Sequence, residues 1–385
     1  MISPSQFAAA VDAAAAEVVA AADGPPAAIL AIAEGEHSHA TAFGAAELGA
    51  AELGAEPATA AHVHDLASVS KLLTVLALHV LFARGELHPT DSLGSLLGRS
   101  AATHGDATLD DTLRHRGGFA PWLPLYLLPD TADPLATSLA VPAANAPGTA
   151  HRYSDLGMQA LGGVIARATS LPFADAVREL VLDPLSVSSI TAGGAPAGRA
   201  VLAGQTGDDI EREMVRSDVP YRVDVADSGF AWRTSVLQGE IGDGNAHHVF
   251  GGAAGHAGWF GDVAGLLRLA DGLAHPECLG LTDDSRAALW HELDPGQGSG
   301  VRIFTADWNG RARRFIGHGG FTGGCVAAST AVDGEPALRV AILTNRLHRV
   351  PATRVRSRPT AEALWQRAMR TADHTLHPVE NGIHP

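Results

Sequence analysis

The chain has 385 residues, 46% of them hydrophobic, enough to bury a sizeable core in one large domain or two intimate lobes. Its formal charge is −15, with no basic block or basic–aromatic stripe, which excludes nucleic acid as an expected partner. Two cysteines, Cys278 and Cys325, make neither a disulfide framework nor a metal-type spacing, and both are expected as free, buried thiols.

An amphipathic helix is predicted from about Phe7 to Ala22. It is apolar but carries Asp12 and Glu17 and has no cationic start, the opposite of a signal peptide, so the protein is expected in the cytoplasm. Ala27–Ala33 predicts a buried strand ending at Glu34-Gly35, and a weaker strand near Ala40–Ala45 completes a hairpin. Ala45–Gly49 is then repeated as Ala50–Gly54, too short for a solenoid repeat and read as a loop expansion.

From Ser68 to about Arg84 the pattern is helical. Leu72, Leu73, Leu76, Leu78 and Val80 fill most of its circumference, which predicts a helix buried at the centre of the molecule. The apolar stretch Leu72–Ala83 is interrupted by His79 and is too short to span a bilayer, so no membrane is expected. Residues 85–275 read as mainly helical, broken by Pro/Gly-rich stretches at 117–150 and 191–208. Strand character returns at Val301–Phe304, Arg314–Ile316, Cys325–Ala328 and Leu338–Leu343. A last helix runs from about Pro359 to Thr371, and the tail to Pro385 is expected to be loose. Strands at both ends with helices between predict an α/β (α+β) fold: one antiparallel sheet built from both termini, flanked by helices. The sheet lobe covers about 1–60 and 295–375, and an inserted, mostly helical lobe covers about 65–290.

Lysine and arginine together number 27, and Lys71 is the one lysine. Arginine stays protonated whereas lysine can lose its proton, so the single position that keeps lysine is a candidate for proton chemistry. Lys71 follows Ser68 by three residues and shares its helix face. The first helical turn and burial both disfavour a cation, which predicts a lowered lysine pKa. A lysine so placed can take the hydroxyl proton of Ser68, which then attacks a carbonyl carbon. Tyr153 is one of three tyrosines, with Tyr126 and Tyr221, and follows a Pro-Gly turn. The 19 histidines include His37 with His39, His62 with His64, and His247-His248. They form no His-Glu-x-x-His or His/Cys quartet, so no metal is expected. Gly251-Gly252 is not a phosphate loop, because no Gly-Lys-Ser/Thr follows. Pro121–Pro129 is apolar yet broken by prolines, which does not suit a core helix.

Leu66-Ala67-Ser68-Val69-Ser70-Lys71 resembles the first motif of class C β-lactamase-like and penicillin-binding-protein-like serine hydrolases. Further matches follow in family order: Gly85–Asp91, Leu113–Phe119 (where a His-Thr-Ser-Gly pattern is usual), and Pro147–Gly157, which contains the Tyr-x-Asn motif with Asp155 in its third place. Gly252–Phe260 is similar to a glycine-rich segment, and Gly317–Gly323 stands where Lys-Thr-Gly would be. The resemblance runs from about residue 60 to 348 and implies a β-lactamase/transpeptidase-like fold. It implies Ser68 as the acylated nucleophile, with Lys71 and Tyr153 sharing the proton transfers, and the N–H groups of Ser68 and Phe321 as the oxyanion hole. It also implies substrate contacts from Asp155, His318, Gly319, Gly320 and His256, and a lip formed by Trp122 and Tyr126 over an apolar acyl or aromatic group. No cofactor is implied. The partners are a small-molecule acyl donor and, for transfer, an amine or alcohol acceptor.

Two departures matter. A carboxylate at 155 close to Lys71 would favour the ammonium and shift weight to Tyr153, or else Asp155 faces away and caps the helix that starts there. With one lysine the chain has no Lys-Thr-Gly motif, and His318-Gly319-Gly320 supplies neither its cation nor its hydroxyl. In β-lactam and peptidoglycan enzymes those groups meet the substrate carboxylate, so efficient β-lactamase or carboxypeptidase activity is not expected. The expectation is an esterase or amidase, with a transacylase of natural-product (secondary) metabolism as the alternative, and an acylated sensor that does not turn over as the second.

Overall fold

The computed structural model describes residues 2–48, 55–129, 131–225 and 229–378. The second copy of the duplication and the end of the tail lie outside these residues. Ten strands are named β1 Ala27–Glu34, β2 His37–Glu47, β3 Glu56–Pro57, β4 His64–Asp65, β5 Thr191–Ala192, β6 Trp259–Gly261, β7 Arg302–Trp308, β8 Arg311–Gly319, β9 Cys325–Ala328 and β10 Leu338–Thr344. The helices that matter for the site are α1 Pro4–Ala20, α2 Lys71–Ala83, α3 Asp155–Thr169, α4 Asp209–Ser217, α5 Val263–Ala274 and α6 Ala361–Leu376.

Seven strands form one sheet in the order β3-β2-β1-β10-β9-β8-β7, every neighbour antiparallel. The N-terminal β1 therefore lies beside the C-terminal β10, with Ala31 opposite Ala341. Apolar side chains from Ala27 to Ala33 of β1 suit a strand covered on both faces. One face is covered by α1 and α6, whose Phe7, Val11, Val18, Leu364, Trp365 and Met369 share a core with Leu30 and Val340. On the other face α5 packs against β1, β9 and β10. α1 starts where Ser3 and Gln6 form a reciprocal capping box, with Pro4 in the first turn.

The predicted architecture, a sheet from both termini with helices inserted, is the one observed. α2 is buried on all sides, and even His79 and Lys71 in it are inaccessible. Its leucines and valines each contribute about 1.5–3 kcal/mol of burial, which holds the helix in place whatever its ends carry. Several elements differ from the sequence reading. β2 is longer than expected, since its half-exposed small residues give a weak apolar alternation. Among the described residues of 85–275, α3 and α5 are full-length helices, but the rest is cut into shorter helices, single turns and the strands β5 and β6. A second sheet, β4-β6-β5, comes from strands of two or three residues, too short to show a period. Cys325 is buried as expected, but Cys278 is exposed, on a turn at Pro276–Leu279.

The small sheet and β8 place the first motif. Leu66 N–H bonds the carbonyl of Trp259 on β6 at 2.9 Å. At the end of β8 the backbone of Gly320 runs so close to Leu66 that a Cβ there would lie 2.5 Å from the Leu66 carbonyl oxygen. Glycine at 320 lets the two segments meet.

Candidate active site

Ser68 does not sit in the first turn of the α-helix. It lies in a 3₁₀ turn, Ala67–Ser70, that feeds α2, and α2 begins at Lys71. Ala67, just before it, is a non-glycine residue in the left-handed region at φ 44°. The shared face predicted for the pair is kept: Lys71 Nζ lies 2.8 Å from Ser68 Oγ and donates to it.

Lys71 Nζ is also 2.7 Å from Asp155 Oδ1, 3.3 Å from the His256 carbonyl oxygen, and 5.0 Å from the centre of the Tyr153 ring. Asp155 is the first residue of α3, and the helix is capped by Ser154, whose Oγ accepts the Gly157 N–H at 3.1 Å. The capping alternative for Asp155 is therefore overturned, and its carboxylate faces the lysine. This reverses the expected pKa as well. Burial pushes Lys71 down, but the Asp155 carboxylate, with help from Tyr153, outweighs it and holds the ammonium above the usual lysine range. The pKa of Tyr153 is raised by burial, partly offset by the nearby Lys71 ammonium. The resting cluster is an ammonium, a carboxylate and a neutral phenol around one serine.

Behind Tyr153 stand His115, 4.5 Å from it ring to ring, and His318, at 6.0 Å. His318 bonds the Gly319 carbonyl at 2.7 Å, and burial with the nearby Lys71 charge brings its pKa down to about 3. The residue in the place of the family's lysine is thus uncharged and sits behind Tyr153, off the cavity wall. Gly319 and Gly320 also stay off the wall.

A cavity of about 450 Å³ opens on Ser68, Tyr153, Asp155, Trp122 and Phe321. Among the described residues neither the Ser68 N–H nor the Phe321 N–H has an acceptor, so both main-chain donors are free. Much of the wall is apolar, from Ile210, Met214, Val219 and Val355. The predicted lip divides. Trp122 faces the cavity and packs on Val215 and Val223, whereas Tyr126 stands one layer back, its hydroxyl donating to Glu211 Oε2 at 2.6 Å. His256 is buried. Its Nε2 meets Asp243 Oδ1 at 3.0 Å, and its contact with Lys71 is through its main-chain oxygen.

The sequence reading missed Glu211, Tyr221, Asp243 and Arg356 on the wall. Glu211 belongs to α4, which reads as an ordinary amphipathic helix, and Arg356 to a 3₁₀ turn remote from every motif. Burial and the neighbouring Asp243 raise the Glu211 pKa, while the His256 contact, against burial, keeps that of Asp243 low. Arg356 is exposed and has no ion pair among the described residues, so a cation does reach the cavity, from an element other than the third motif. The paired histidines serve other ends: His39 bonds Asp12 at 3.0 Å, His64 the Leu202 carbonyl at 3.2 Å, and His248 Asp208 at 3.1 Å.

These buried groups set a pH dependence of stability. Burial brings His64 and His79 down to about 4 and His318 to about 3, and holds His115 well below its ordinary value. Each folded pKa lies below the unfolded value of 6.5, so stability is full above pH 6.5 and is lost as pH falls toward 4. Asp65, pushed up to about 6 by burial, and Glu211 act in the opposite sense. The four histidines outnumber the two acids, which predicts a net loss on the order of 2 kcal/mol per pH unit below 6.5. Thermal melts from pH 7.5 to 4.5 check this, and a flat or rising melting temperature on acidification counts against it.

A serine set beside a lysine and a tyrosine, under a sheet joined from both termini, is the arrangement of a serine hydrolase of the β-lactamase type. A family model described as "Beta-lactamase" matches residues 11–364, and the chain belongs to that family. The putative D-alanyl-D-alanine carboxypeptidase of Escherichia coli (strain K12) is 28% identical over 267 residues, 63% of this chain; the chain spans 59% of that protein's length. A D-amino acid amidase from Ochrobactrum anthropi SV3, solved with D-phenylalanine, superposes with a TM-score of 0.66 at 15% identity, covering 95% of this chain and 98% of that one. EstCE1, described as a hydrolase with promiscuous acyltransferase activity, gives 0.67 at 17%, covering 96% and 100%. At these identities the two structural likenesses establish the fold.

Proposed function

We propose that the protein transfers the acyl group of a small ester or amide through a covalent acyl-Ser68 intermediate. The observation that carries this is the 2.8 Å contact between Lys71 Nζ and Ser68 Oγ at the base of the cavity. The Lys71 ammonium donates to Oγ and stabilises the developing alkoxide, so the serine proton leaves by another route. It passes to the Tyr153 oxygen. The phenolic proton moves to Lys71, which gives one of its own to Asp155. Ser68 loses one proton and the Asp155 carboxylate gains one, while lysine and tyrosine end as they began. The N–H groups of Ser68 and Phe321 hold the oxyanion, and the relay runs backward to protonate the leaving group.

Water as acceptor makes the protein an esterase or amidase, the reading favoured by the carboxypeptidase, amidase and hydrolase descriptions of its relatives. An amine or alcohol makes it a transacylase, which the description of EstCE1 supports as the alternative. Intact-protein mass after brief exposure to activated esters of increasing acyl length, with and without added amines, separates them. An adduct that water clears identifies the hydrolase, and one that persists until an amine removes it identifies the transacylase. A persistent adduct that no acceptor clears identifies the sensor, and no adduct with any ester overturns the acyl-serine reading.

The wall gives a second expectation. Trp122→Ala removes a large apolar surface from the cavity, so KM for bulky or aromatic acyl groups is expected to rise about tenfold, with acetyl esters changed less than about twofold. Equal effects on both would show that Trp122 only packs the lobe.

A further inference from the structure

Asp65 is buried and has no ion pair among the described residues, yet it keeps a carboxylate next to the nucleophile turn. Its two oxygens are divided between two segments. Oδ1 accepts the Ala67 N–H at 2.8 Å, and Oδ2 accepts the Gly242 N–H at 2.6 Å. Its main-chain oxygen accepts the Thr322 hydroxyl at 2.7 Å. Three stretches of the cavity wall therefore meet on one residue: the turn bearing Ser68, the loop bearing Asp243, and the peptide that follows Phe321.

We propose that Asp65 is a positioning residue that fixes the separation of the Ser68 and Phe321 N–H groups, and through it the strength of the oxyanion hole. On one side it anchors the N–H of Ala67 in an Asx-type turn, which holds that residue in its left-handed conformation and so aims the following N–H, that of Ser68. On the other it tethers Thr322, whose neighbour Phe321 supplies the second donor; the Phe321 carbonyl is itself held away by Arg346 Nη1 at 2.5 Å. Asparagine is no substitute. With one acceptor oxygen it would turn its NH₂ toward either the Ala67 or the Gly242 N–H. The requirement for two acceptors explains why an unpaired acid is kept in a site where burial disfavours its charge. The Gly242 bond also continues the tether, because Asp243 next to it holds His256, whose carbonyl receives Lys71.

The proposal rests on the acyl-serine reading of Ser68. Its test compares wild type, Asp65→Asn and Thr322→Val in turnover of an activated ester and in affinity for a boronic acid, which forms a tetrahedral adduct on the serine oxygen. Loss of well-placed oxyanion donors is typically worth about 10²–10³ in rate, so a misplaced pair is expected to cost about 10–100-fold in kcat, with KM changed less than about threefold. Boronate affinity should fall by the same factor, and Thr322→Val should show the same pattern more weakly. A folded Asp65→Asn protein with wild-type boronate affinity overturns the proposal, even if its melting temperature has dropped. If Asp65→Asn does not fold, Thr322→Val decides, and unchanged boronate affinity in that variant overturns it. Wild type that binds boronate no better than Ser68→Ala overturns the acyl-serine reading and this proposal together.

Discussion

Replacing Ser68 with alanine is expected to lower kcat by about 10⁴-fold or more, leaving the residual rate that binding and the oxyanion donors supply alone. The expectation follows from geometry. Ser68 Oγ is the acceptor of the Lys71 ammonium and opens directly on the cavity, so its loss removes the nucleophile the mechanism needs. Stability should hardly change, since the side chain lost is small and only part-buried. Turnover of an activated ester by the purified variant, beside its melting curve, checks both parts. Wild-type turnover in a folded Ser68→Ala protein would falsify the mechanism.

Lys71→Arg is the second large effect, expected to cost at least about 10³-fold in kcat, within the range for loss of a general acid–base group. The substitution keeps the positive charge and so keeps a partner for Asp155, but a guanidinium cannot release a proton in the relay. Shape adds to the loss. Lys71 is fully buried, with Ser68, Asp155, the His256 carbonyl and the Tyr153 ring around a single nitrogen, and a planar fork does not fit that arrangement. The check is a kcat–KM split on the folded variant at several pH values. A loss confined to KM would mean that Lys71 acts as a binding charge, and full activity would mean that its solitary status is accidental.

The local parts of this site were legible in the sequence. Ser68 and Lys71 lie one turn apart, Tyr153 follows a Pro-Gly turn, and the two ends of the chain carry strand patterns, all properties of a few neighbouring residues. What depended on distant chain was not. Whether Asp155 capped its helix or met the lysine turned on where Ser154 lay, and the lysine pKa followed from that choice. Tyr126 and Trp122 share one proline-broken segment, yet only the packing of α4 decides that one faces the cavity and the other Glu211. Glu211 and Arg356 have no local signal, because α4 and the turn at Ala352–Ser357 carry patterns that surface elements share. The strands β4, β5 and β6 escaped for a simpler reason: two or three residues cannot display an alternation.

The joining of both termini in one sheet has a consequence for synthesis. Ala27 N–H bonds the Asn345 side chain, 318 residues away, and β1 has β10 as its neighbour along its whole length. While the ribosome is still making the middle of the chain, β1 and β2 exist without that partner, and an apolar strand edge of the kind that recruits other chains stands open. The serine, lysine and tyrosine have all been made by then, but the strand that brings the second oxyanion donor has not. A nascent chain that ends before β8 therefore carries Ser68, Lys71 and Tyr153 without the Phe321 N–H that the proposed oxyanion hole requires.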